Sequence, residues 1–190
     1  HNIREFYSDN SGEIKKACKE LIILHDGSQP GMPQTNGIAE RNNQPIINKT
    51  RVCLLEAGLP PCYWSFCAPC LCVLMNTDFS AGESSWFKTH GKEFEGLRLP
   101  FGCKVVVKPS TTKSDLGKWD EPSTVGVFAG YRIHAGYTWK FEYLIWDLED
   151  FVNADLSKMA AANVHQRLGK PHITKRCSLY QNELSFPLKK

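Results

Sequence analysis

Apolar residues recur along this 190-residue chain with two different periods, and the change between them organises the whole reading. In "IKKACKELIIL", Ile14, Ala17, Cys18, Leu21 and Ile22 fall on one face and Lys15, Lys16, Lys19 and Glu20 on the other, the 3.6-residue spacing of an amphipathic helix. Before it, "IREFYSDNSGE" reads as a short strand that ends in a cluster of turn formers, Ser8 to Gly12. After it, "HDGSQPGMPQTNG" reads as loop. A second helical pattern runs from about Ile38 to Ala57 and is closed by Gly58, with Pro60 and Pro61 behind it. Pro45 removes the bond to the Arg41 carbonyl and should kink or split that helix. A third segment, "CYWSFCAPCLCVLMN", is almost wholly apolar and so predicts a buried helix, bent at Pro69.

Beyond residue 80 the period shortens to that of strands. "AGESSWFKTHGKEFEG" is polar and Gly-bearing and reads as a linker over 81–96. "FGCKVVVKPS", "STVGVFAGYRI" and "FEYLIWDLEDF" are rich in Val, Ile and aromatics and are punctuated by Gly, Pro, Ser and Thr. They predict a small all-β unit, with "FAGYRIHAG" as a bulge or hairpin in it. The expected division is a helical, α/β part over 1–80, a linker, a β domain over 97–180 and a tail over 181–190. No internal repeat and no low-complexity tract is evident.

Composition sharpens this only in places. With 42% hydrophobic and 23% charged residues the chain is neither disordered nor membrane-like, and its longest apolar run, Leu71 to Met75, is far too short to span a bilayer. It begins "HNIREFYSDN" without Met and without a secretory pattern, which suggests a piece of something longer. Eight cysteines at irregular spacings in a chain this long point to a reducing interior rather than a disulfide framework. The net charge of +3 is modest, but no acid lies between Asn163 and Asn182, where His165, Arg167, Lys170, His172, Lys175 and Arg176 gather. That stretch fits either phosphate contact or a solvated basic face.

Three groups of residues are candidates for chemistry. A strand-end Asp9 and a helix-start Glu40 can converge if the intervening helix packs beside the strand, giving two hard oxygen ligands for Mg²⁺. With Asn36 as N-cap, Glu40 lies in the first turn, where the helix dipole favours the ionised carboxylate. Acids at turns and helix starts are also common as purely structural features. Cys67, Cys70 and Cys72 in "CAPCLC" have one half of a zinc spacing but no matching second pair, so they read as small core residues, and no zinc site is expected. The aromatics Phe128, Tyr131, Tyr137, Trp139, Phe141, Tyr143 and Trp146, with Arg132 and Lys140, suit base stacking. In so small a unit most of them must form the core.

Two stretches taken together carry a family resemblance. "SDNSGE" (Ser8 to Glu13) followed by "PQTNGIAERNN" (Pro33 to Asn43) resembles the second half of the integrase catalytic core in copia-type retrotransposon Pol polyproteins, where the pattern is S-D-N-G-G-E and then P-Q-x-N-G-x-A-E-R-x-N. "LLEAGLPPCYWSFCA" is similar to the helix, turn and aromatic-led helix that follow. "LRLPFGCKVVV", "GVFAGYRIHAGYTWKFEYLIWDLEDF" and "HITKRCSL" look like the small SH3-like barrel beyond that core. The resemblance implies a partial ribonuclease-H-like fold followed by an SH3-like β barrel. It also implies a site of three carboxylates, Asp, Asp and Glu, that holds Mg²⁺ or Mn²⁺ for DNA strand transfer.

On that resemblance Asp9 matches the second Asp and Glu40 the Glu, and both would be metal ligands. Candidate DNA contacts are Asn36, Arg41, Asn43, Gln44, Arg51, Lys175 and Arg176. Implied partners are element and target DNA, other Pol segments and a second copy of the chain, in a cytoplasmic particle and the nucleus, with no membrane. Three features depart from the pattern. The strand for the first Asp would lie upstream of residue 1. Only 30 residues separate Asp9 from Glu40, fewer than usual. Pro45 and Pro69 interrupt helices that carry no proline in the family. The expectation is therefore integration chemistry in the full-length family and an inactive 190-residue chain. The alternatives are a non-catalytic nucleic-acid-binding or assembly module, or a decayed relic.

Overall fold

The computed structural model describes residues 3–8, 10–27, 37–79, 82–108, 123–152, 154, 156 and 170–189, apart from the side chains of 38–40 and 42. They divide into two compact units, His1–Pro45 and Ile46–Lys190. The stretch 81–96, polar in composition, falls inside the second.

In the first unit, strand β1 (Glu5–Ser8) pairs in parallel with β2 (Leu24–Gly27), and helix α1 (Gly12–Glu20) connects them. Ser11 starts α1 by accepting the Ile14 amide on its Oγ at 3.3 Å, with Glu13 in the positive first turn. The strand after α1 corrects the loop reading of "HDG". Four residues with Asp and Gly carry no strand propensity, and backbone pairing with β1 decides the matter. The helix also stops earlier than its apolar spacing suggests. Ile22 takes φ 55°, and Leu21 and Ile22 are left exposed instead of extending the buried face.

Helix α2 spans Gly37–Ala57, and Gly58 follows it in the left-handed region at φ 68°, as the Gly-Pro-Pro signal predicts. It is not split at Pro45. Beyond the proline, Thr50, Leu54 and Ala57 are buried in the second unit, and that burial outweighs the lost backbone bond. A single 3-10 turn, Pro61–Tyr63, leads into α3 (Trp64–Asn76), whose Cys67, Cys70 and Val73 are buried. Within 81–96 lies helix α4 (Ser85–His90). The Ser84 Oγ caps it by accepting the Phe87 amide at 2.9 Å and also donates to the Glu93 carboxylate at 3.0 Å. Trp86 and Phe94 from this stretch enter the core, so its polar residues are the exposed side of a packed segment.

The rest of the second unit is an antiparallel sheet of β3 (Lys104–Val107), β4 (Thr124–His134), β5 (Thr138–Asp147), β6 (His172–Thr174) and β7 (Cys177–Leu179), in the order β6-β5-β4-β3-β7. Register shifts at Phe128/Gly130 and Tyr131/Ile133 put bulges in β4 where the glycine-bearing stretch foretells them. The pairing directions have a further consequence. β6 is antiparallel to β5 and β7 to β3, so β6 and β7 run the same way although they sit at opposite edges of the order. Only Lys175 and Arg176 separate them. One bent strand therefore serves both edges, and the sheet must curl enough to bring those edges within the reach of three peptide links, about 10 Å. Among the described residues no hydrogen-bonded ladder closes the curl.

One apolar core runs from α2 and α3 into this sheet. Trp146 lies edge-on to Tyr63 at 5.3 Å and Phe66 at 5.0 Å between ring centroids. The buried Tyr131 hydroxyl donates to the Leu97 carbonyl at 2.8 Å and accepts the Leu99 amide at 2.9 Å. Tyr131→Phe strands both groups, and its expected cost is about 1–3 kcal/mol, read as a lower midpoint in urea with an unchanged slope.

Candidate functional site

The first candidate site belongs to the first unit, where a carboxylate follows the C-terminal end of a parallel strand. Asp9 comes directly after β1 in the chain, and strand ends of this kind are where open α/β sheets place their ligands. Asp9 itself and Asn36 lie outside the described residues, as does the side chain of Glu40. What surrounds Asp9 in sequence is described. The Ser8 hydroxyl and His25 Nε2 share a hydrogen bond at 2.9 Å, tying the last residue of β1 to β2. Asn10 lies against the Cα of Gly27, the register partner of Ser8, in space that a Cβ would take. These contacts anchor the residues on both sides of Asp9. Nothing in the sequence marks His25 or Gly27 for that part, because both sit in a stretch without strand character.

Glu40 lies in the first turn of α2, as the Asn-Gly start implies. Arg41, Asn43 and Gln44 follow it and are exposed. Arg51, in the second unit, is exposed as well. Among the described residues, no cluster of three or more His, Cys, Asp or Glu side chains is arranged to hold a metal ion. Two carboxylates are by their chemistry hard oxygen donors suited to Mg²⁺ or Mn²⁺.

The second candidate surface is the corner between β6 and β7. The Thr174 hydroxyl accepts the Arg176 amide at 3.2 Å and donates to the Arg176 carbonyl at 3.0 Å, so the corner is fastened from within and turns Lys175 and Arg176 to solvent. A cleft beside them also presents Lys108, but its other wall carries Asp147, Glu149 and Asp150, and His172 binds the Asp147 carboxylate at 2.9 Å. The basic character is thus local to the corner. The upstream half of the basic stretch, with His165 and Arg167, lies outside the described residues.

Most of the aromatics weighed for base stacking are core. Phe128, Tyr131, Tyr143 and Trp146 are buried, and Phe141 is the exposed one. On the sheet's outer surface, the His134 ring at 2.8 Å, with Arg132 farther off, holds the Glu142 carboxyl below the usual carboxylate range. Cys67 and Cys70 are small core residues with thiols pushed up, Cys67 first by the hydrogen bond it gives Cys53 and Cys70 by burial.

Comparison with known proteins gives the class. Over 156 residues the chain is 30% identical to the retrovirus-related Pol polyprotein from transposon TNT 1-94 of Nicotiana tabacum, a match covering 76% of this chain and 11% of that protein. It is 31% and 28% identical, each over 139 residues, to the retrovirus-related Pol polyproteins from transposons RE1 and RE2 of Arabidopsis thaliana, covering 69% of this chain and 9% of each. No protein-family model and no solved structure matches. The chain belongs with the Pol polyproteins of copia-type retrotransposons. It spans about a tenth of the length of the relatives it matches. Among the described residues no helix is long and apolar enough to cross a membrane.

Proposed function

We propose that this chain is the integrase segment of a copia-type Pol polyprotein: the later part of a ribonuclease-H-like catalytic core followed by an SH3-like β domain. The observation that carries the reading is the pairing of "SDNSGE" at the end of β1 with "NGIAER" at the start of α2, within a chain related to Pol polyproteins. The curl of the second unit's sheet, with one bent strand on both edges, supports the SH3-like part.

In this reading Asp9 and Glu40 are metal ligands, and a bound Mg²⁺ or Mn²⁺ supplies electrophilic assistance to displacement at phosphorus. Asn36 stands immediately before α2 in the chain, the helix dipole would favour an ionised Glu40 in the first turn, and Arg41 would meet a DNA phosphate. Two carboxylates are one short of the family's set, and octahedral Mg²⁺ tolerates a missing ligand poorly. The 190-residue chain alone is therefore expected not to join an oligonucleotide carrying element ends to target DNA in Mg²⁺ or Mn²⁺. Joining that Glu40→Gln abolishes would show that the chain completes its own site. Other segments of the same polyprotein and further copies of the chain are its proposed partners, and it acts in a cytoplasmic particle and the nucleus.

DNA binding without catalysis is the second reading, favoured by the fastened corner that exposes Lys175 and Arg176. For binding of duplex DNA, log affinity should fall against log salt with a slope of about 0.9 per phosphate neutralised, and the double change Lys175→Ala, Arg176→Ala should reduce that slope by about 2. A slope that ignores both salt and substitution removes the corner from the DNA interface.

A further inference from the structure

Residues 184–189 form a strap across the second unit. After β7 the chain makes a single turn, in which the Glu183 amide donates to the Tyr180 carbonyl at 3.0 Å, and the residues beyond it take hold of three elements. The Ser185 carbonyl accepts the Lys104 amide at the start of β3 at 2.8 Å. Phe186, half-buried, lines a small apolar cavity of about 80 Å³ together with Cys53 of α2, Leu71 and Leu74 of α3, and Phe101. The Leu188 carbonyl occupies the space that a Cβ on Gly58 would need, directly after α2, and the Lys189 ammonium pairs with the Glu56 carboxylate at 2.6 Å. The strap is thus held by surfaces far from it in sequence, Glu56 being 133 residues from Lys189, and another copy of those surfaces can hold it equally well.

The turn that leads into the strap is strained and open to solvent. Gln181 takes φ 52° and ψ 24°, and Asn182 takes φ 57°, so two successive residues lie in the left-handed region. Positive φ at both central residues is the mark of a type I′ turn, which Asn-Gly suits best. Asn182 tolerates that backbone, but at Gln181 it costs a factor of roughly 5–30 in population. Residues 181–185 are all exposed, so no buried side chain of theirs offsets the strain.

We propose that the strap exchanges between two copies of this chain, residues 184–189 of each seated on β3, α2 and α3 of the other, with Gln181–Glu183 as the hinge. The seat already matches the strap in shape and charge, so exchange needs no new surface. Opening the turn releases Gln181 from the left-handed region in both chains, and a short strained hinge is the setting that favours exchange. Within one chain the tethered strap competes at an effective concentration on the order of 1 mM. Relief at two hinges, about 25- to 900-fold together, puts the dissociation constant of the exchanged dimer on the order of 1–40 µM. Exchange gives the association of copies a defined contact, and it depends on neither integration chemistry nor DNA.

The test is sedimentation velocity on the whole 190-residue chain over a concentration series, with variants at exposed positions only. The unaltered chain should pass from monomer to dimer in the micromolar range. The double change Gln181→Asn, Asn182→Gly installs the pair that the closed turn prefers, and it should weaken the dimer by about five-fold or more. Glu56→Lys and Lys189→Glu each set like charges between strap and seat, in the closed chain and in its own dimer alike. Mixed in equal amounts, the two variants bring opposite charges together only by exchange. With one of them fluorescently labelled, the heterodimer should form on the order of five-fold more tightly than either homodimer at low salt. A chain that stays monomeric at about ten times the upper end of the expected range overturns the proposal. So does a dimer indifferent to the hinge change, or a mixture with no preference for the heterodimer.

Discussion

Trp146→Ala destabilises the second unit by about 3–5 kcal/mol, the largest effect expected of any single side chain here. The indole is 2% exposed and lies within 6.2 Å, centroid to centroid, of the rings of Tyr63, Phe66, Phe101 and Phe151. Those rings come from the turn before α3, from α3 itself, from the entry to β3 and from the segment after β5, so truncation removes the one group that all four share. They cannot collapse together to fill the space, because each is fixed by a different element. Urea unfolding followed by far-ultraviolet circular dichroism should show a lower midpoint. An unchanged midpoint would mean that the aromatic cluster does not hold helix to sheet.

Gly102→Ala should follow closely. Gly102 sits at φ 82°, where an alanine costs about 1–2 kcal/mol. Its Cβ would also overlap that of Ala57, the fully buried last residue of α2, adding about 1–3 kcal/mol. The two causes are separable. Ala57→Gly in the same chain relieves the overlap but not the backbone strain, so the double variant should recover part of the loss and never all of it. Full recovery in thermal unfolding would assign the whole effect to packing, and no recovery would assign it to the backbone.

Much of the architecture is legible in the residues. Gly58 with its prolines stops α2, the apolar run in "CYWSFCAPCLCVLMN" buries α3, and the Val- and aromatic-rich stretches become β3, β4 and β5. The failures share one physical cause. β2 is held by pairing with β1 rather than by its own "LHDG", and α4 is hidden because a six-residue helix buries only Trp86. Pro45 leaves its helix whole because the far end is anchored in the core. In each case a tertiary contact overrides local preference. In the candidate site, Asp9 and Glu40 stand out through the resemblance carried by "SDNSGE" and "PQTNGIAERNN", while the Ser8–His25 bond and the Asn10–Gly27 contact beside Asp9 have no motif, since they depend on how β2 pairs with β1.

The corner at Lys175–Arg176 bears on how the sheet opens. Edge strands ordinarily fray one at a time, each losing its own ladder and nothing else. Here the residues that pair with β5 and those that pair with β3 are joined by a corner that Thr174 clamps with two hydrogen bonds. Peeling one edge pulls on the other. The two margins of the sheet are therefore a single cooperative opening unit, and amide exchange at Ile173 and at Ser178 should report one opening free energy rather than two.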